Sequence, residues 1–169
     1  MISPAYVRTM AAYNAEMNRR LYAAAAQIPD EERRRDRGAF WGSIHGTLVH
    51  LLWGDRVWMA RFDGWTRPSV PIQQSTEMIL DFDELSAERP KADAAIEDWA
   101  RRVTADWLQQ DLIWFSGVSK TERRGNRGFL VTHFFNHQTH HRGQAHAMIT
   151  ACGQKTGDTD LIVLVNGPQ

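Results

Sequence analysis

Cysteine occurs once in these 169 residues, as Cys152, which excludes an intrachain disulfide framework. No apolar run approaches the ~18 residues of a membrane-spanning helix, and the first residues lack the basic-then-apolar pattern of a secretory leader. The expectation is a cytoplasmic protein with no membrane partner. Neither charge is in excess, since Lys+Arg and Asp+Glu both number 20. Without a basic surplus, nothing global argues for nucleic acid or an anionic surface as partner. Repeats and low-complexity segments are also missing. What is left has the length of one domain, residues 1–169, large enough to bury a core without staples. Tryptophan, by contrast, is plentiful at 7. Its bulk and its N–H suit a pocket wall or a subunit interface, beside ordinary core packing.

The periodicity predicts an all-α chain. Ser3-Pro4 is an N-cap followed by proline at the first helical position, and Tyr6, Met10, Tyr13, Met17 and Leu21 then recur at helical spacing to about Gln27. Glu31 to Arg37 is a charged connector with a turn of helix. A second helix is predicted over 38–62, where Phe40, Trp41, Ile44, Leu48, Leu51, Leu52, Val57 and Phe62 form a broad apolar surface and Asp63-Gly64 ends it. The stretch to Gln74 is a loop. A third helix fits about 78–112, in one or two pieces, with Pro90 kinking any helix it interrupts. Ile113 to Phe115 has strand character, and a short hairpin with the basic segment Arg123 to Gly128 precedes the last helix. That helix spans about 129–151 with Gly153 as its C-cap, and Leu161 to Val165 is a short strand or an extended tail. Four long amphipathic helices bury their apolar faces most simply as a four-helix bundle, whose core commonly houses metal sites.

The last helix carries the densest chemistry. Residues His133 to Gln144 hold four of the 7 histidines, and His133, His137 and His141 follow at i, i+4 and i+8. Each such step turns a helix by only about 40°, so His137 and His141 stack and can reach one ion. Imidazole is the commonest nitrogen ligand for borderline metals. A third ligand must come from the second helix, from His45 or His50. These lie about 140° apart on a helical wheel and cannot both serve one ion. His50 is chosen because Gly46 and Gly54 flank it and predict room beside its imidazole for a metal or substrate. His50, His137 and His141 then make a facial three-His set with open positions, the arrangement of catalytic sites. Zn, Ni and Fe(II) all suit it. The competing expectation is that these histidines are hydrogen-bonded core residues.

Four further residues lie near this face. His133 and Gln144 are placed to orient the ligands or line a pocket, or simply to pack. Asp55 shares the side of Leu48, Leu51 and Phe62, and as a buried carboxylate needs Arg142, Arg56 or a His N–H. It is either an anchor for a ligand or an interhelix salt bridge. Arg142, next to His141, binds an anionic substrate group or ties helices together. Arg61 shares the His50 face, at a pocket mouth or solvated.

Trp41-Gly42-Ser43-Ile44-His45-Gly46-Thr47-Leu48-Val49-His50-Leu51-Leu52-Trp53-Gly54-Asp55-Arg56-Val57-Trp58, with Arg61-Phe62 after it, resembles the second-helix signature of the DinB-like (DinB/YfiT) family. His133 to Gln144 is similar to that family's fourth-helix signature, and Gly153 to Leu161 to the ending of its DinB branch. Val49 stands where the family commonly has Asn, while the His after it is present. The resemblance spans nearly the whole chain. It implies a four-helix bundle of up-down-down-up connectivity, often a homodimer, with a divalent metal held by His50, His137 and His141. It also implies a small-molecule substrate, with members of known activity being transferases or isomerases that use low-molecular-weight thiols and a few being hydrolases, while most members have no assigned reaction. The alternatives are a metal-dependent binding or sensor module and a structural dimer, neither with turnover. No general acid or base emerges from the sequence.

Overall fold

The computed structural model describes residues 1–117 and 119–164. It is mostly helical. α1 (Pro4–Ala26) begins as expected, with the Ser3 hydroxyl accepting from the Tyr6 N–H and Pro4 in the first turn. The charged connector holds one short helix, α2 (Asp30–Arg34). α3 (Ile44–Phe62) starts six residues later than the pattern suggested. The apolar residues Phe40 and Trp41 lie outside it because Gly42 takes φ +72 and Ser43 is the N-cap, accepting from the Gly46 N–H.

Ile72–Glu77 forms a 3-10 helix in the stretch read partly as loop, and the third long helix does divide. α4 (Phe82–Arg102) runs through Pro90, and the break falls instead at Val103-Thr104, where Thr104 caps α5 (Ala105–Gln109). Asp81 and Thr104 supply the capping oxygens that set both boundaries. The hairpin is present and longer than expected: β1 (Asp111–Ser116) pairs antiparallel with β2 (Thr121–Asn126), Trp114 opposite Arg123. α6 (Arg127–Ala151) follows directly, capped by Asn126 and closed by Gly153 at φ +81. Leu161–Leu164 is a 3-10 turn rather than a strand, and Val165 of that expected segment lies outside the described residues.

The four long helices pack side by side, α1 against α4 and α6, and α3 against α6 and α4. Two apolar clusters fill the space between them. One joins Leu21, Ala25, Leu48, Leu52, Leu85, Ala145 and Ile149; the other joins Val7, Ala11, Met59, Ile96, Trp99, Val131 and Phe134. Fully burying side chains such as Leu52 or Phe134 contributes about 1.5–3 kcal/mol each, and this packing holds α3 and α6 in the register on which the site depends. Among the described residues no helix is long and apolar enough to cross a membrane.

Candidate metal centre

The α3–α6 contact brings His50, His137 and His141 together, each offering a ring nitrogen within 4.8 Å of the others. The shortest approach is between the Nε2 atoms of His50 and His137, 3.2 Å. Three nitrogens at the usual ~2.0–2.1 Å from a tetrahedral ion stand about 3.3 Å apart, so this edge has the length a metal requires. His50 is 1% exposed, His141 is buried and His137 half-buried.

The surroundings fix two of the rings. Gln144 meets His141 Nδ1 through its Oε1 at 2.7 Å, so Nδ1–H donates and Nε2 carries the lone pair, toward which the Trp41 N–H points at 3.5 Å. His50 Nδ1 lies 2.9 Å from the buried Ser75 hydroxyl. If Nδ1 donates there, both facing Nε2 lone pairs are available to a cation; the opposite tautomer makes a Ser75–His50–His137 hydrogen-bond chain. His137 Nδ1 is buried and has no partner among the described residues. Burial, then the neighbouring imidazoles, push the pKa of His50 and of His137 down to about 3. Burial likewise lowers His141, against the bond from Gln144. Three neutral imidazoles are therefore present at pH 7, the protonation state that metal binding needs.

The glycines beside His50 serve a different purpose from the one their spacing suggested. A Cβ on Gly54 would stand 2.9 Å from His137 Cε1, and one on Gly46 would stand 2.6 Å from the Trp41 carbonyl. They do not open a cavity. They let the second imidazole and the loop before α3 come close. Trp41 then stacks on His50 with ring centroids 3.7 Å apart and points its N–H at His141 Nε2, 3.5 Å away. Trp53 flanks the other side of His50 at 5.6 Å. Trp41, Trp53 and Ser75 are the neighbours that sequence reasoning missed. Trp53, three residues after His50, could have been found by helical spacing. Trp41 and Ser75 lie outside the long helices and leave no periodic signal.

Three of the remaining histidines have other partners or stand apart from the trio. His45 donates from Nε2 to the Ile79 carbonyl at 3.0 Å and is a core residue. His146 bonds the Thr156 hydroxyl at 2.6 Å. His133 sits on the exposed side, its ring 6.2 Å from His137 and 5.1 Å from Trp58.

Asp55 and Arg142 belong elsewhere. Asp55 accepts from Arg89 Nη1 at 2.7 Å and from Gln138 Nε2 at 2.7 Å. None of Arg142, Arg56 or a histidine is its partner, because Arg89 on α4 faces α3 directly while Arg56 reaches Glu88. Arg89 also reaches Asp93, which accepts from Asn14 and Asn18 of α1, and Arg142 donates to Asn14. Asp55, Arg89, Asp93 and Arg142 thus form an electrically balanced buried network tying the four long helices together. Both residues tie helices together, and Arg142, 4% exposed, also lines a cavity of about 200 Å³ with Tyr13, Thr139 and His146. A groove of about 530 Å³ between α1 and α4 runs over part of this network and carries no histidine.

A model of the DinB family matches residues 1–166 of this chain. No curated protein and no solved structure gives a significant match.

Proposed function

The chain belongs to the DinB family, and on that premise we propose that His50, His137 and His141 hold a divalent transition metal in a small-molecule enzyme of thiol-transferase or hydrolase type. The observation that carries this reading is the convergence of three neutral imidazoles from two helices, with a 3.2 Å edge and a Gln144 that fixes one ring's tautomer. A bound Zn, Ni or Fe(II) ion supplies Lewis acidity that brings a thiol or water into its nucleophilic form at neutral pH. The chain's own residues orient and exclude. Gln144 and Ser75 hold the rings, and Trp41 and Trp53 shield the His50 side from water. His133, its ring 6.2 Å from His137, is the proposed acceptor of a proton from an entering thiol at a ring nitrogen. Partial burial of its ring, then the nearby Arg61 charge, lower its pKa, so it is neutral at pH 7.

The architecture proposed with this is one domain, a four-helix bundle in up-down-down-up order. The two apolar clusters support it: one gathers residues from the start of α1 and α6 and the end of α3 and α4, the other the reverse. A homodimer is the proposed assembly, supported by the exposed apolar side chains Phe40, Ile113, Phe115 and Ile162. A metal-dependent binding or sensor module is the second reading. One observation favours it: Asp55, the carboxylate nearest His50 in α3, is fully engaged by Arg89 and Gln138 and offers no base.

Elemental analysis of protein purified without an affinity tag tests the metal. The expected result is close to one equivalent per chain after reconstitution, and less than about a tenth of an equivalent would sink it. Transfer and hydrolysis assays with glutathione, bacillithiol and mycothiol then separate an enzyme from a binding module.

A further inference from the structure

Arg61 stands out among the arginines of the long helices α3 and α4. Arg56, Arg89, Arg101 and Arg102 each meet a carboxylate. Arg61 meets two indoles instead, its guanidinium 4.5 Å over the Trp58 ring and 5.7 Å from Trp114 of the hairpin. The closest acid in sequence, Asp63, is occupied through both oxygens by Arg102. The other charge acting on Arg61 is Arg67, of the same sign, and burial with that charge lowers the Arg61 pKa to about 10, so it stays cationic at pH 7. Arg123, opposite Trp114 in the hairpin, spends its Nε on the Ser119 hydroxyl. A half-buried guanidinium has five N–H donors fixed in a fork that matches a planar or tetrahedral oxyanion, and among the described residues no protein acceptor fills it.

Its position gives this vacancy a direction. Arg61 and His50 lie on one face of α3, eleven residues or about 16 Å apart along the axis. Arg61 lies over Trp58, one turn back toward His50. That leaves roughly 10–13 Å between guanidinium and the imidazole cluster. The interval is bridged by a row of rings, Trp58 to His133 at 5.1 Å and His133 to His137 at 6.2 Å. His133, at the middle of the row, is exposed.

We propose that Arg61 is the anchor for an oxyanion of the substrate, which lies along the Trp58–His133 row with its reacting atom at the three-histidine cluster. The substrate class is therefore an elongated small molecule carrying a carboxylate or phosphate about 10 Å from the reacting atom. This rests on the metal reading for the position of the reacting end, whereas the anion site at Arg61 stands without it.

Two measurements test it separately. In metal-free protein, the Arg61 Nε–Hε resonance, identified by its loss in Arg61→Gln, is followed while acetate or methyl phosphate is added at constant ionic strength. A saturating shift that chloride does not produce is expected; a response equal to that of chloride up to about 100 mM overturns the proposal whatever the state of the metal site. In cobalt-loaded protein, binding of 6- and 8-carbon ω-mercapto carboxylates, phosphonates and alcohols is read from the cobalt absorption spectrum. One charged series should bind roughly 10- to 100-fold tighter than the alcohols, as a charge-assisted contact requires, and the preferred series identifies the oxyanion. Arg61→Gln should erase that preference at unchanged cobalt content, and Arg61→Lys should keep part of it. A preference that survives Arg61→Gln in a protein of unchanged circular dichroism, or none in the parent chain, refutes the anchor. Failure to load cobalt counts against the metal reading alone, since the resonance titration still decides the anion site.

Discussion

Replacing Gly54 by Ala separates the metal centre from the stability of the helix that carries it. In the middle of α3, alanine is favoured over glycine by about 0.8–1.0 kcal/mol. For a chain of this size that corresponds to a rise of about 2–4 °C in the melting temperature of metal-free protein. The new Cβ, however, would lie 2.9 Å from His137 Cε1 and 3.5 Å from its Nδ1. Carbon atoms pack best about 3.5–4.0 Å apart, so the imidazole must retreat by roughly 0.6 Å or more. Without metal that movement costs little, because a side-chain ring moves, its Nδ1 has no partner among the described residues, and only the 3.2 Å contact of its Nε2 with His50 is disturbed. A metal bond tolerates only about ±0.2 Å, and misplacing one of three ligands should weaken binding by at least the 10–100-fold typical of damaged supporting contacts. Zinc affinity is measured by chelator competition at pH 7, beside thermal unfolding of the metal-free protein. The expected pattern is an unchanged or higher melting temperature with metal affinity down 10- to 100-fold. Undiminished affinity would refute the packing argument and the assignment of His137 as a ligand.

Three other outcomes follow from the same geometry. His137→Ala should leave less than about a tenth of an equivalent of metal on a chain with unchanged circular dichroism; full occupancy would mean the ligand set is wrong. Metal-free protein should lose stability as pH falls from about 6.5 toward 3. Unfolded histidines take up protons near 6.5 that folded His50 and His137 refuse until about 3, so the unfolded state binds more protons across that window. Urea midpoints between pH 7.5 and 4.5 should show the decline, and a variant with His137→Leu should show less of it; identical slopes would contradict the burial argument. Arg89→Met should cost about 3–5 kcal/mol in urea unfolding, because it strands Asp55 and Asp93 as buried charges. A loss under about 1 kcal/mol would show that the network carries no such charge.

Residues one turn apart on a helix share a face whatever the tertiary structure. That is why His137, His141 and the orienting Gln144 could be read from α6, and why His50 could be separated from His45 on α3. Caps are equally local, so Ser3-Pro4 and Gly153 marked their helix ends correctly. The start of α3 was misjudged because Phe40 and Trp41 look like helix-face residues, and only the backbone turn at Gly42 and the Ser43 cap exclude them. Pro90 lies inside α4, which continues on both sides of it because packing against α1 and α3 holds the helix together.

Helical periodicity by itself determined the long helices and the stacking of His137 on His141, since each depends on spacing within one element. Tertiary structure alone decided what stands between elements. It gave Asp55 to Arg89 instead of a histidine, turned the glycines beside His50 into points of close approach, set Trp41 over the cluster and laid Arg61 over Trp58. Each of these is a contact between residues far apart in the chain, and no periodicity along a single helix encodes which partner faces it.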